Sequence, residues 1–227
     1  MMDPRLPVLF RDRAEAGRLL ADRLAELMPV RPVVLALPRG GVAVAYEIAR
    51  RLGAPLDVLL VRKIGAPMQP ELAMAAVCDG DPPILVVNDD IVSLSGATEQ
   101  DLAEGKQRGL AEIARRRALY CGDRPRVEVA GCTAIVVDDG IATGATMRAG
   151  LMALRRRKPK EIVLAVPVAP PEAIATLRQE ADRIVCLRES HLPFGIGGHY
   201  HDFHQLEDDE VIALLRAADA ARAGGAA

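Results

Sequence analysis

Residues 133–150 read TAIVVDDGIATGATMRAG, and this stretch decides the fold. Residues 134–137 form a short apolar run rich in β-branched side chains, which is typical of a strand buried on both faces of a parallel sheet. The run ends at an acidic pair, Asp138 and Asp139, and a loop with two glycines follows. From Ala145 onward, apolar residues recur at helical spacing. The stretch is therefore predicted to be a strand, a glycine-containing loop and a helix N-terminus.

A loop of this kind favours phosphate, because it collects backbone N–H groups that lack partners and adds the positive end of a helix dipole. The hydroxyls of Thr143 and Thr146 can donate to the same anion. The acidic pair would repel a phosphate, but two carboxylates accept hydrogen bonds from a vicinal diol and can hold a divalent cation. The inferred ligand is a sugar phosphate with free ring hydroxyls, bound together with Mg²⁺.

Other phosphate-binding loops fit this stretch poorly. A P-loop needs four residues between its glycines and a lysine after the second, whereas three residues separate Gly140 from Gly144 and no lysine follows. The G-x-G-x-x-G fingerprint of dinucleotide-binding proteins is also missing here, which disfavours an oxidoreductase of that type. An ordinary strand-to-helix turn with solvated acids is the remaining alternative.

The segment VVDDGIATGAT, residues 136–146, resembles the phosphoribosyl pyrophosphate (PRPP) binding motif of type I phosphoribosyltransferases. The resemblance implies that Asp138 and Asp139 bind the ribose hydroxyls. It also implies that the loop binds the 5-phosphate. The branch acting on 6-oxopurines usually has an aspartate where Ala142 stands, so this chain is more similar to the adenine and orotate branches. The residues expected at the 5-phosphate are Gly140, Ala142, Thr143, Gly144, Ala145 and Thr146.

A second strand, loop and helix unit begins with VVLAL at residues 33–37, followed by Pro38, Arg39, Gly40 and Gly41. A guanidinium binds phosphate in a bidentate manner, and glycines allow a ligand close to the backbone. Ligands of open parallel sheets bind beyond the carboxyl ends of strands, where two such loops converge. LPRGG is similar to the family's pyrophosphate loop, which implies that Arg39 faces pyrophosphate. A tight turn with one exposed arginine is the alternative.

The run RLGAPLDVLLVRKIGAP, residues 51–67, resembles adenine-type phosphoribosyltransferases. It predicts a strand over residues 56–61, and the resemblance implies that Arg62 and Lys63 help to bind pyrophosphate. The alternative is that both are solvated charges. Residues 65–83 are predicted to be a long loop or irregular hairpin that closes over PRPP as a lid, with Glu71 as a weaker candidate for contact.

The segment HLPFGIGGHYHDFH, residues 191–204, contains every histidine of the chain. A zinc site is disfavoured because no cysteine lies nearby. Aromatic residues in a glycine-rich segment can stack on a planar base, and type I enzymes have a variable hood over the acceptor site. We expect Phe194, Tyr200 and Phe203 to belong to that hood. The alternative is that they anchor the last helix against the sheet.

A polar helix is predicted to begin at Thr98 and to run to about Tyr120, because the spacing T-x-x-D is typical of a capping box. Residues 115–117 are three successive arginines, which suit the negative end of such a helix. A nucleic-acid site would need a broader basic surface, and none is expected.

Strands alternating with helices predict an α/β fold, a doubly wound parallel sheet of the type I phosphoribosyltransferase kind. The expected organisation is one domain over residues 1–227, with a core of about 30–190 and a small hood from the N-terminal helix and residues 191–222. Half of the residues are hydrophobic but only 3% are aromatic, so the core is expected to be aliphatic.

Net charge is −2, and no run approaches the length of a membrane span. The four scattered cysteines fit structural thiols in a reducing cytoplasm. A homodimer is the default expectation.

The predicted activity is Mg²⁺-dependent transfer of the phosphoribosyl group from PRPP to a nitrogen acceptor, a small molecule of the nucleobase class. The alternative is a PRPP-sensing protein of the same fold without transfer activity, because the motif contains no evident general base.

Overall fold

The computed structural model of the chain describes residues 10–80, 82–191 and 195–224. Helices and strands alternate along most of this length. In chain order they are α1 (Arg13–Glu26), β1 (Pro32–Ala36), α2 (Gly40–Leu52), β2 (Leu56–Val58), β3 (Val61–Ala66), β4 (Gln69–Cys78), β5 (Ile84–Val87), α3 (Asp89–Ser95), α4 (Glu99–Cys121), β6 (Thr133–Val137), α5 (Ala145–Arg156), β7 (Glu161–Ala169), α6 (Pro171–Leu177), β8 (Arg183–Glu189), a 3₁₀ turn (Ile196–His199) and α7 (Asp208–Gly224).

The main sheet has five strands in the order β2-β1-β6-β7-β8, and every neighbouring pair is parallel. From β1 the chain moves to one edge through β2, whereas β6, β7 and β8 extend toward the other edge. The winding therefore reverses between β1 and β6, which confirms the predicted doubly wound sheet. Ligands of such sheets bind beyond the carboxyl ends of the strands at this reversal.

Both faces of the sheet are covered, so its strands read as continuous apolar runs. Val34 and Ile135 contribute to the cluster beneath α1, α2 and α7, whereas Leu35 and Val136 contribute to the cluster beneath α5 and α6. The side chains in both clusters are almost all aliphatic, as the composition predicts.

A second, antiparallel sheet with the order β3-β4-β5 corrects one expectation and decides between the alternatives of another. The strand predicted over residues 56–61 ends at Val58, and the chain enters the second sheet at Val61. Residues 65–83 are mainly an irregular hairpin, one of the two predicted alternatives, in which β4 runs for ten residues and pairs with β3 through two register shifts. Met74, Ala75 and Val77 are all buried, so β4 lacks the polar alternation that marks a strand in sequence. Lid closure by this hairpin stays a prediction.

Helix α4 begins at the predicted capping box, in which Thr98 Oγ1 accepts from the Asp101 N–H at 3.1 Å and Asp101 Oδ2 accepts from the Thr98 N–H at 2.8 Å. No helix within the described ranges is both long enough and apolar enough to cross a membrane. The four cysteines are free thiols.

Candidate active site

The loops that follow β1 and β6 lie side by side at the point where the sheet reverses. Ala36 pairs with Val137, and the Leu37 N–H donates to the Val137 carbonyl at 2.9 Å. A Cβ on Gly41 would lie 2.7 Å from that same carbonyl oxygen, so the start of α2 presses against the end of β6. The structure thus brings together the two segments that the sequence predicted to converge.

The acidic pair occupies the first positions after β6. Asp139 is 9% exposed, and a Cβ on Gly40 would lie only 1.9 Å from its Oδ2 atom, so only glycine fits opposite this carboxylate. Asp138 is half-buried, and its Oδ1 accepts from the Asp139 N–H at 2.9 Å. Burial, followed by the charge of Asp139, raises the pKa of Asp138 well above its ordinary value.

Helix α1 supplies a cation that the sequence reading missed. Arg13 Nε donates to Asp139 Oδ2 at 2.7 Å, and both side chains are buried. The guanidinium of Arg13 also donates to the His204 carbonyl at 2.9 Å and lies 3.8 Å from the centroid of the Phe203 ring. The sequence contained one indication of this contact. Arg13 lies in the first turn of its helix, where a positive charge is unfavourable next to the helix dipole unless an acidic residue from elsewhere in the fold lies close to it.

The loop after the acidic pair is open to solvent. Ala142, Thr143 and Ala145 are exposed, and Gly144 has a φ of 78°, a left-handed conformation that favours glycine. No side chain of the described residues caps the N-terminus of α5. The first N–H groups of this helix therefore face the loop, as an anion-binding turn requires.

Arg39 lies on the neighbouring loop, at the N-cap position of α2, after a cis Pro38–Arg39 peptide. Its side chain is 31% exposed, and its Nη1 lies 3.8 Å from the Asp208 Oδ1 atom of α7. Asp208 also accepts from the Tyr120 hydroxyl at 2.7 Å. Arg39 thus lies at the same rim of the sheet as the acidic pair. Its ion-pair partner among the described residues is Asp208, and their contact is long and partly exposed.

Arg62 and Lys63 diverge because successive residues of a strand point to opposite faces. Arg62 lines a small cavity of about 40 Å³ together with Pro38 and Thr146, next to both loops. Lys63 lines a different cavity, of about 380 Å³, between the second sheet and α5. The cavity of Arg62 is lined by residues of both loops, whereas the cavity of Lys63 reaches the loop after β6 at Ala145.

The aromatic residues of the C-terminal segment pack beneath the acidic pair. The Tyr200 hydroxyl donates to the Asp139 carbonyl at 2.6 Å, and its ring lies between those of Phe10 and Phe203, with centroids at 5.4 and 5.0 Å. Tyr200 is only 5% exposed, and these contacts anchor the C-terminal segment to Phe10 and Asp139; its place in the acceptor hood stays a prediction. Phe203 is partly exposed, and Phe194 lies outside the described residues.

These features define the class of the protein, an α/β protein whose glycine-containing loop and acidic pair meet an arginine loop at the reversal of a parallel sheet. The family model of the phosphoribosyl transferase domain matches residues 12–202, and the chain belongs to this family. The matched region includes both loops, Arg13 and Tyr200.

Known relatives agree with this assignment. The chain is 47% identical over 220 residues to proteins of Mycobacterium tuberculosis strains CDC 1551 and H37Rv, each named "Putative phosphoribosyl transferase". The match covers 95% of this chain and 49% of each relative, so the chain spans about half the length of the curated relatives it matches. The crystal structure of TT1426 from Thermus thermophilus is similar, with a TM-score of 0.81 and 43% identity over 91% of this chain and 97% of TT1426.

Proposed function

We propose that this chain transfers the 5-phosphoribosyl group of PRPP to a nitrogen acceptor, a small molecule of the nucleobase class, and releases pyrophosphate. The observation that carries the proposal is the convergence of the acidic pair, the uncapped N-terminus of α5 and Arg39 at one rim of the sheet. Membership of the phosphoribosyl transferase domain family supports the same activity.

Each loop has a separate part in the proposed reaction. The backbone of residues 140–146 and the hydroxyls of Thr143 and Thr146 hold the 5-phosphate, whereas Asp138 and Asp139 accept from the ribose hydroxyls. Arg39 binds the pyrophosphate. A nitrogen lone pair of the acceptor then attacks the anomeric carbon with inversion, and the bond to pyrophosphate breaks. Catalysis here rests on positioning and electrostatics, because positive charge develops on the ribose close to the carboxylates.

The acidic pair also has the chemistry to hold Mg²⁺. Carboxylate oxygens are hard ligands of the kind this ion prefers, and Mg²⁺ usually keeps several water or phosphate oxygens. Asp138 and Asp139 would therefore hold it partly through PRPP or water, since Asp139 already accepts from Arg13. When bound, the ion supplies positive charge that offsets the charge of the pyrophosphate.

A second candidate is a PRPP-binding protein without transfer activity. Ala142, an exposed loop residue, carries no titratable group, so this loop position supplies no general base. Residues 1–227 would then form one binding domain, with the hood covering a regulatory site instead of an acceptor.

Two measurements distinguish the candidates. Isothermal titration with PRPP and Mg²⁺ measures binding, and a pyrophosphate-release assay across purine and pyrimidine bases measures transfer. Binding with release on at least one base is the expected result. Binding without release on any base would favour the sensor, and absence of PRPP binding would overturn both candidates.

A further inference from the structure

Helix α4 brings a basic side chain to the floor of the proposed site, although α4 lies outside both predicted loops. The small cavity next to the loops is lined by Pro38, Thr146, Arg62 and Arg116 together with apolar side chains of β1, β3 and α4 and the residues beside them. Pro38 directly precedes Arg39, and Thr146 is in the first turn of α5. The cavity therefore lies at the junction of the proposed pyrophosphate and 5-phosphate loops.

The volume of this cavity, about 40 Å³, exceeds the roughly 10–15 Å³ that a single ordered water oxygen needs. A phosphoryl oxygen of a bound anion therefore fits this space. An anion at the rim would therefore place one or two oxygen atoms between the two guanidinium groups and leave its remaining atoms toward the loops.

A single carboxylate holds the arginines in place. Glu112 Oε1 accepts from Arg62 Nη2 at 2.9 Å and from Arg116 Nε at 2.7 Å. Arg115 adds two further hydrogen bonds to Glu112, at 2.8 and 3.0 Å. Three guanidinium groups around one carboxylate leave two positive charges in excess. Because each guanidinium has five N–H donors, Arg62 and Arg116 retain donors for an anion after binding Glu112.

The three successive arginines of α4 have three different surroundings. Arg117 is buried and donates to both carboxylate oxygens of Asp57 at 2.8 and 3.2 Å, which is a structural contact. The Arg115 side chain is 59% exposed and does not line the cavity, whereas the Arg116 side chain is 27% exposed and does. Of the three arginines, only Arg116 both lines the cavity and is not buried in the core.

We propose that Arg116 is a further binding residue for the pyrophosphate part of PRPP, acting together with Arg62, and that Glu112 is the positioning residue for both guanidinium groups. This inference rests on the proposed function, because it assumes that pyrophosphate lies at the Arg39 loop. It extends the proposed site from the two loops onto α4, which the loop motifs do not contain.

The test compares Arg116→Ala with Arg115→Ala, neighbouring substitutions that each remove one guanidinium from Glu112. Isothermal titration in the presence of Mg²⁺ uses two probes, inorganic pyrophosphate and ribose 5-phosphate. We expect Arg116→Ala to weaken pyrophosphate binding by about 10- to 100-fold, the usual effect of losing hydrogen bonds to a charged group. Ribose 5-phosphate affinity should stay unchanged, and Arg115→Ala should change neither affinity. Arg116→Lys should restore part of the pyrophosphate affinity, because it keeps the charge but not the planar fork.

The outcomes separate this inference from the function on which it rests. Equal pyrophosphate affinities for the two alanine variants, or an equal loss of both probes in Arg116→Ala, would overturn the role of Arg116 while leaving the proposed function intact. A wild-type chain that binds neither PRPP nor pyrophosphate would overturn both. Matching unfolding temperatures of the two alanine variants would show that a difference in binding does not arise from misfolding.

Discussion

Arg13 Nε lies 2.7 Å from Asp139 Oδ2, in a buried contact that joins the first helix to the acidic pair after β6. The Tyr200 hydroxyl donates to the backbone carbonyl of the same aspartate at 2.6 Å. Arg13, near the start of the described chain, and Tyr200, near its end, thus both hold Asp139, a residue of the proposed ribose site. The position of Asp139 consequently depends on tertiary packing as well as on its own loop.

Replacement of Arg13 by alanine should destabilise the protein, because it leaves the buried Asp139 carboxylate without its cationic partner. Breaking a buried pair in this way costs about 3–5 kcal/mol in free energy of unfolding, measured by chemical denaturation. Arg51→Ala is the matched control, since Arg51 and Asp22 form an exposed pair between α1 and α2 at 3.4 Å. That pair should contribute no more than about 1 kcal/mol. Similar losses for the two variants would contradict the role assigned to Arg13.

Gly40→Ala should disturb the acidic pair, because the added Cβ would lie 1.9 Å from Asp139 Oδ2. Relief of this overlap requires the carboxylate to move, so we expect weaker PRPP binding in titration and a loss of about 1–3 kcal/mol of stability. Gly109→Ala is the control, because its Cβ would lie at an ordinary 3.5 Å from Val77 in the interior of α4. There alanine should stabilise the helix by up to about 1 kcal/mol. The prediction fails if Gly40→Ala binds PRPP as the wild type does.

Arg39→Ala should lower turnover by about 100-fold or more, as expected when a charged donor to the leaving group is removed. Its effect on stability should be small, because the Arg39 side chain is 31% exposed and its ion pair with Asp208 is long, at 3.8 Å. The assay is pyrophosphate release with an acceptor identified in the base screen, and Arg51→Ala again serves as the control. Turnover like that of the wild type would remove Arg39 from the proposed mechanism.

His204 should make stability depend on pH. Its ring lies 3.0 Å from Glu210 Oε1 and 3.3 Å from Asp202 Oδ1, and these hydrogen bonds raise the pKa of His204 above its ordinary value. A raised folded pKa gives stabilisation that is complete below the unfolded pKa, about 6.5, and is lost as pH rises through the folded pKa. Hydrogen bonds from the backbone and ring of His204 lower the pKa of Asp202. The stabilisation that Asp202 contributes is therefore present above about pH 4 and is lost as pH falls.

The stability difference between the wild type and His204→Gln should therefore be largest between about pH 4.5 and 6.5 and should shrink on both sides. Denaturation midpoints across this range provide the measurement. His201→Gln, at an exposed histidine of the same segment, is the control. A difference that grows with pH above 6.5 would contradict the assigned contacts.

The sequence by itself determined the sheet type and the two loops of the proposed site. An apolar strand, an acidic pair, glycines and the start of a helix form a contiguous pattern in residues 133–150, and local backbone chemistry gives that pattern its meaning. The same reasoning located Arg39 at the end of β1. The sequence left residues 65–83 open between a long loop and an irregular hairpin, because an apolar strand buried by packing carries no alternation.

Only the tertiary structure decided which distant residues support those loops. Arg13 and Asp139 are separated by 126 positions, and Arg62 and Glu112 by 50, so no local spacing links either pair. Three consecutive arginines looked equivalent in sequence, yet helix geometry turns successive side chains by about 100°, toward the core, the solvent and the cavity. Packing, rather than the local pattern, also buried Tyr200 beneath the acidic pair, because its hydroxyl and ring both find partners there.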